Sequence, residues 1–322
     1  MTKPDVLMVG PYPDWEMPPL ERDYIIHKLW LAEDRARFLS VVGPRIRAIA
    51  TNGVLGANAE LIDACPRLEI IACFGVGFDA IDLDRARARG VRVTNTPDVL
   101  TEDVADMAFA LILASFRRIV EGDAFARSGA WTKGALPLGR GLNGKTLGVL
   151  GYGRIGHAIS RRAPVFGMSV AYCDLAIDPQ APHAYHADPI SLARASDVLV
   201  ATTAGGAGTL SLVDAEVFDA LGAEGLFVNV SRGSVVDQDA LIAALKQRKI
   251  FSAGLDVYAN EPNVPPELLT MDNVVLLPHV GSGSVPTRDA MNQLVIDNLM
   301  AWAAGKKPLT PVPETPWPPR RP

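Results

Sequence analysis

Residues 146–174, TLGVLGYGRIGHAISRRAPVFGMSVAYCD, restrict the fold more than any other stretch of this chain. An apolar run ending at Leu150 leads into Gly151-Tyr152-Gly153-Arg154-Ile155-Gly156. A helix-compatible segment follows, then a second apolar run that closes on Asp174. Glycine triplets alone occur by chance in loops. With a strand before, a helix after and an acid about 20 residues on, this one reads as the phosphate turn of a dinucleotide-binding βαβ unit. Gly151 takes the tight turn, Gly153 admits a pyrophosphate close to the backbone, and Gly156 lets helix pack on strand. The helix N-terminus offers N–H groups and a partial positive charge to the phosphates. Asp174 is placed to accept from the adenosine ribose hydroxyls and to repel a 2′-phosphate. Leu175-Ala176-Ile177-Asp178 add no basic group, so NAD(H) is favoured, with NADP(H) still possible.

At 322 residues the chain is long for a single core, and two domains are expected. Short apolar strands alternate with helical segments in two runs. The first run holds VLMV (6–9), RAIAT (47–51), EIIAC (69–73) and RVTNT (92–96). The second holds TLGVL (146–150), SVAYC (169–173), DVLVA (197–201), LFVNV (226–230), SAGLDV (252–257) and VVLLP (274–278). This alternation predicts an α/β protein of two doubly wound parallel-sheet domains, Rossmann- or flavodoxin-like, with a cleft between them. Two longer helical patterns run from Thr101 to about Arg127 and from Thr287 to Ala304. If the second returns the chain to the first domain, the substrate-binding domain is discontinuous, 1–98 plus 287–322, and the dinucleotide-binding domain is 99–286. Pro164 should kink or end the helix after the glycine loop.

The net charge of −5, without a basic block, points away from a nucleic-acid partner. Ala105 to Phe116 is the longest apolar stretch; it contains Asp106 and is too short for a bilayer, so no membrane partner is expected. Met1 to Asp5 run straight into strand-like VLMVG, which reads as no cleavable leader. Cys65, Cys73 and Cys173 are scattered, which fits a reducing cytoplasm. His183 and His186 lie in a segment rich in Pro, Ala, His and Asp that reads as a surface loop, and no metal is expected.

In open α/β sheets ligands sit outside the carboxyl ends of the strands. Three reactive side chains come after three strands of the second run: Arg232 after LFVNV, Glu261 after SAGLDV and His279 after VVLLP. Hydride transfer to a 2-keto acid needs such a set. A planar guanidinium can hold the carboxylate and polarise the ketone. A histidine, titrating nearest neutrality, can supply the proton to the forming alkoxide. A carboxylate against it would orient the ring and favour its protonated form. In the first run, Asn52-Gly53-Val54 and Gly75-Val76-Gly77 come directly after strands. Two readings fit these turns: a small anion-binding concavity of backbone N–H groups, or ordinary β/α turns that need glycine for geometry.

The chain resembles the D-isomer-specific 2-hydroxyacid dehydrogenases, and within them the hydroxypyruvate, glyoxylate and hydroxyphenylpyruvate reductases. The matching motifs are Gly75-Val76-Gly77-Phe78-Asp79, Thr94-Asn95-Thr96-Pro97, Val104-Ala105-Asp106 and Gly151 to Gly156. They continue with Asn229-Val230-Ser231-Arg232-Gly233, Gly254-Leu255-Asp256-Val257 and Pro278-His279-Val280-Gly281-Ser282, in family order from about residue 50 to 300. The resemblance implies that Arg232 binds substrate, that His279 is the acid/base and that Glu261 is its partner. It implies that Asn52, Gly53, Val76 and Gly77 meet the keto-acid carboxylate when the domains close. It puts Thr202, Val230, Asp256 and Gly281 with the cofactor, Val230 near the ring and Asp256 at the nicotinamide carboxamide. It also implies a homodimer, joined in part by the long helix and the Trp131 region. Two departures stand out: Ala204 in Thr202-Thr203-Ala204-Gly205-Gly206, where many relatives have proline, and Asp174-Leu175-Ala176, where NADPH-preferring plant-type relatives are basic.

The activity expected is reduction of a small 2-keto acid, such as glyoxylate or hydroxypyruvate, to the D-hydroxy acid. Hydroxyphenylpyruvate and 2-ketogluconate are alternative substrates. A non-catalytic dinucleotide sensor on the same fold is the alternative from another class.

Overall fold

A computed structural model describes residues 3–12, 15 and 17–317 of the chain. The end of the proline-rich tail, 318–322, and the first two residues of the Met1–Asp5 run lie outside the described residues. The chain divides into two compact units, 1–100 with 284–322, and 101–283. The divisions read from the sequence are at 98/99 and 286/287.

The first unit contains β1 (Asp5–Met8), α1 (Met17–Asp23), β2 (Ile25–Lys28), α2 (Arg35–Val42), β3 (Ala48–Asn52), α3 (Ala59–Asp63), β4 (Ile70–Phe74), α4 (Leu83–Ala88) and β5 (Arg92–Thr94). Asp34, Asn58 and Asp82 cap α2, α3 and α4, each accepting from the backbone N–H three residues on. Among the described residues its sheet is parallel with order β2-β1-β3-β4-β5, the flavodoxin-like winding. Its switch point lies between β1 and β3, and β3 ends on Asn52.

The second unit contains α5 (Thr101–Phe116), α6 (Ile119–Arg127), β6 (Thr146–Leu150), α7 (Arg154–Arg162), β7 (Ser169–Cys173), β8 (Ala184–His186), α8 (Pro189–Arg194), β9 (Val198–Ala201), α9 (Ala215–Leu221), β10 (Leu226–Asn229), α10 (Gln238–Lys246), β11 (Ser252–Leu255), α11 (Pro266–Leu269) and β12 (Val274–Leu276). Its sheet is also parallel, in the order β12-β11-β10-β9-β6-β7-β8, with the switch point between β6 and β9. Leu147, Val149, Val198–Val200 and Leu226–Val228 are fully buried, as strands covered on both faces require. On one face Gly254 lets α5 approach: a Cβ there would lie 3.0 Å from that of Leu111.

After the second unit, α12 (Val285–Ala303) returns to the first, capped by Ser284. The segment after it lies along β5: Thr94 bridges Pro311 antiparallel, Val312 N donates to Val93 O at 2.9 Å, and Val93 N donates to Thr315 Oγ1 at 2.9 Å. The proline-rich tail thus covers an edge strand that would otherwise present open hydrogen-bonding groups.

Three sequence expectations change. The helix read from Thr101 to Arg127 is two helices, broken at Arg118, whose φ of 54° is left-handed. The segment around His183 and His186 is not all loop, because Ala184–His186 pairs with β7 as an edge strand. β2 has no counterpart among the strands expected from the sequence. Pro164 sits in a 3-10 turn directly after α7, as a helix-ending proline should. Among the described residues no helix is long and apolar enough to cross a membrane, and no group of side chains is arranged to hold a metal.

Candidate active site

The glycine loop leaves β6 at the switch point of the second unit. Gly151 has φ 95°, and a Cβ on it would lie 2.6 Å from Thr203 N; Gly156 is closed in the same way by Gly151 O at 2.3 Å. Gly153 differs, since nothing of the protein comes within 4 Å of where its Cβ would be. α7 starts at Arg154 with Gly153 as N-cap and no side-chain cap. An open cradle at an uncapped helix N-terminus fits a pyrophosphate. Thr202, one residue past β9, donates from Oγ1 to Gly151 O at 2.5 Å and ties the two strand ends together.

Asp174 stands directly after β7. Its carboxylate accepts from Tyr152 N at 2.5 Å and Leu175 N at 2.6 Å, so it braces the loop beside which a ribose would lie. The Tyr152 ring is buried, 4.1 Å from both the Tyr172 and His157 rings. With its N–H also given to Asp174, Tyr152 serves to shape the loop. Arg154 is exposed and Ile155 half-buried on the first turn of α7.

The other side of the switch point brings together the three reactive side chains. His279 Nδ1 lies 2.6 Å from Glu261 Oε2, and Tyr258 N donates to Glu261 Oε1 at 3.1 Å. Burial pushes the Glu261 carboxyl up. The hydrogen bond and charge of His279, the Tyr258 N–H and the charge of Arg232 outweigh it and hold the carboxyl below its ordinary value. The Tyr258 phenol is pushed up to about 12, chiefly by burial, and donates to Leu277 O at 2.9 Å as a neutral group.

His279 has φ 55°, in the left-handed region that few residues other than glycine adopt. Asp256 holds it there. Asp256 O accepts from His279 N at 2.9 Å, while its two carboxylate oxygens accept from Val280 N and Gly281 N, each at 2.7 Å. Burial raises the Asp256 carboxyl above its ordinary value against those N–H groups. Gly281 must be small, because a Cβ would sit 2.9 Å from Asp256 Oδ2. Val230 is buried just past β10. Arg232 stands three residues past β10, its Nη1 donating to Ser231 O at 2.7 Å. Gly233 is pressed on the backbone of Tyr258, 1.9 Å from where its Cβ would be, so the arginine and glutamate loops abut.

In the first unit, Asn52 Oδ1 accepts from Val54 N and Leu55 N at 3.0 and 2.8 Å, so this side chain shapes its own turn. Val76 O accepts from Asn95 Nδ2 at 2.9 Å. Because the peptide is trans, the Gly77 N–H points the opposite way, as an anion-binding turn needs. Gly53 lies between Asn52 and Val54 in that first turn.

Sequence reasoning gave no role to Asn229 or to the bracing function of Asp256. For Asn229 a signal was present, a polar residue ending the apolar run LFVN; the bracing by Asp256 had none, since it depends on how two separate strands pair.

A family model described as "D-isomer specific 2-hydroxyacid dehydrogenase, NAD binding domain" matches residues 109–281. The chain is 45% identical to glyoxylate/hydroxypyruvate reductase A of Arabidopsis thaliana over 95% of this chain and 98% of the relative. It is 44% identical to hydroxyphenylpyruvate reductase of Plectranthus scutellarioides, again over 95% and 98%. Among solved structures, the NADPH-dependent glyoxylate/hydroxypyruvate reductase of Sinorhizobium meliloti, in complex with NADP and malonate, superposes with a TM-score of 0.91. It is 43% identical, and all of each chain is covered.

Proposed function

Given that this chain belongs to the D-isomer-specific 2-hydroxyacid dehydrogenase family and is an NAD(P)-dependent oxidoreductase of 2-hydroxy acids, we propose that it reduces a small 2-keto acid such as glyoxylate or hydroxypyruvate to the D-hydroxy acid, with NADH preferred. The observation that carries this reading is the 2.6 Å contact of His279 Nδ1 with Glu261 Oε2, beside the loop that carries Arg232.

When bound, the nicotinamide supplies the hydride. Arg232 holds the substrate carboxylate with two parallel donors and draws electron density from the ketone oxygen. His279, with Nδ1 engaged by Glu261, has Nε2 left to deliver the proton to that oxygen. Glu261 orients the imidazole. In the reverse direction neutral His279 takes the proton back. Asp256, which braces the histidine turn, would also hold the carboxamide, Val230 and Gly281 would hold the cofactor beside it, and Thr202 with Gly151 to Gly156 would hold its phosphates.

The unit of residues 101–283 is then the dinucleotide-binding domain, and the other, through Asn52-Gly53 and Val76-Gly77, the substrate-binding domain. The NADH preference rests on Asp174, which would face the ribose with no basic residue in Leu175–Asp178 after it. A cytoplasmic location fits three buried, free cysteines. A homodimer fits α6, which buries none of its residues, together with Trp131 and Leu138, 74% and 94% exposed.

The direct test monitors absorbance at 340 nm with glyoxylate, hydroxypyruvate, hydroxyphenylpyruvate and 2-ketogluconate, using NADH and NADPH in parallel. Turnover of one of the first two with NADH is expected. Tight NADH binding with no turnover of any 2-keto acid would reassign the chain as a dinucleotide sensor. Light scattering checks the dimer: Trp131→Asp should yield monomers, and a wild type that is already monomeric removes that part of the reading.

A further inference from the structure

Asn229, the last residue of β10, is 1% exposed and uses both ends of its amide on the loop that carries Arg232. Oδ1 accepts from Ser231 N at 3.0 Å and from Ser231 Oγ at 2.7 Å; Nδ2 donates to Arg232 O at 3.0 Å. Ser231 is itself buried, and its carbonyl receives Arg232 Nη1. The amide therefore closes a small ring over residues 229–232, and the guanidinium rests on that same ring. Asn229 O also accepts from Asp256 N at 3.0 Å, which registers the arginine loop to the residue that braces the His279 turn.

We infer that Asn229 is a positioning residue for Arg232: its buried amide sets the direction of the guanidinium and so the pose of the keto-acid carboxylate. The inference rests on the reading of Arg232 as the substrate anchor. Only an amide meets the requirement, because one end must accept from two donors while the other donates. Aspartate keeps the shape and the acceptor but turns a carboxylate oxygen towards the Arg232 carbonyl, so one bond is replaced by a repulsion. A side chain buried this deeply has no water to compensate the loss.

The experiment is a mutant cycle between Asn229→Asp and Arg232→Lys, read as kcat/KM for the preferred keto acid together with the NADH dissociation constant. In the wild-type background Asn229→Asp should cost about tenfold or more in kcat/KM, with NADH affinity within about twofold. In the Arg232→Lys background the same change should cost less than about threefold, since the group it directs is gone. An equal loss in both backgrounds overturns the inference and leaves Arg232 as the anchor. An Arg232→Lys enzyme as active as the wild type overturns the anchor, and the inference with it. Should Asn229→Asp fail to bind NADH, Ser231→Ala removes one donor to the amide and serves in the same cycle. Its loss should be smaller and again confined to the arginine background, and a loss of equal size in both backgrounds would overturn the inference.

Discussion

The two sides of the switch point in the second unit solve opposite problems. In the turn from β6 to α7 the groups offered to a ligand are backbone N–H groups, and the main requirement is the absence of side chains: Gly151 and Gly156 have no room for a Cβ, and Gly153 keeps space open. Around β10, β11 and β12 the offered groups are side chains, and the main requirement is support. Asn229, Asp256 and Glu261 each use their polar atoms to hold a neighbour. Adding atoms should damage the first region, and removing or altering them the second.

The largest effect is expected from His279→Ala. It deletes the proton donor but touches nothing near the glycine loop. Turnover should fall by roughly 10² to 10⁴ with NADH affinity largely kept. Fluorescence titration and steady-state rates check both halves, and near-normal turnover would take His279 out of the chemistry.

Next come two glycine substitutions that separate fold from ligand. Gly151→Ala sets a side chain at φ 95° against the Thr203 backbone and should destabilise the folded chain by about 1–3 kcal/mol. Gly153→Ala meets no protein atom and has φ −80°, so thermal stability should hold while NADH affinity drops about tenfold. Unchanged NADH affinity in Gly153→Ala would mean that no pyrophosphate lies in that cradle.

A change of similar size to that of Gly153→Ala, in preference and not in affinity, is expected at Asp174. Replacing it with Ser, together with Leu175→Arg, removes a charge that repels a 2′-phosphate and adds a donor for one. The preference for NADH over NADPH should shrink about tenfold. Equal wild-type KM values for the two cofactors would sink the assignment. Asp174 also accepts from Tyr152 N, so a modest loss with NADH itself should accompany the switch.

These regions also differ in how far they can be read from the sequence. The glycine loop is a local pattern: strand, turn, helix and acid are contiguous, and spacing alone places them. Arg232, Glu261 and His279 are legible because each stands just past an apolar run, and parallel strands bring their carboxyl ends to one edge. The bracing of His279 by Asp256 is not readable, since it depends on two strand ends more than 20 residues apart lying in register. β2 and β8 escape notice because they are short edge strands without an apolar run; Ile25–Lys28 and Ala184–His186 have no fully buried residue. The break at Arg118 carries no glycine or proline to announce it.

The finest distinction lies in Glu261, which should alter when His279 works and leave its chemistry in place. The hydrogen bond and charge of His279, with the Tyr258 N–H and the charge of Arg232, hold the Glu261 carboxyl below its ordinary value against burial, so the carboxylate lies ionised against the ring. Keto-acid reduction needs the protonated ring and should fall as pH rises; hydroxy-acid oxidation needs the neutral ring and should rise. Glu261→Gln keeps the shape and removes the charge, so the pH profile of reduction should move. Stability carries a second signature. A carboxyl whose folded-state value is depressed stabilises the fold when ionised, fully above its unfolded value of about 4.5 and less and less as pH falls through the folded-state value. The melting-temperature gap between wild type and Glu261→Gln should therefore narrow at acid pH. A reduction profile that does not move in Glu261→Gln would detach the glutamate from the proton of His279. It would then serve only to hold the ring and the Tyr258 backbone in place.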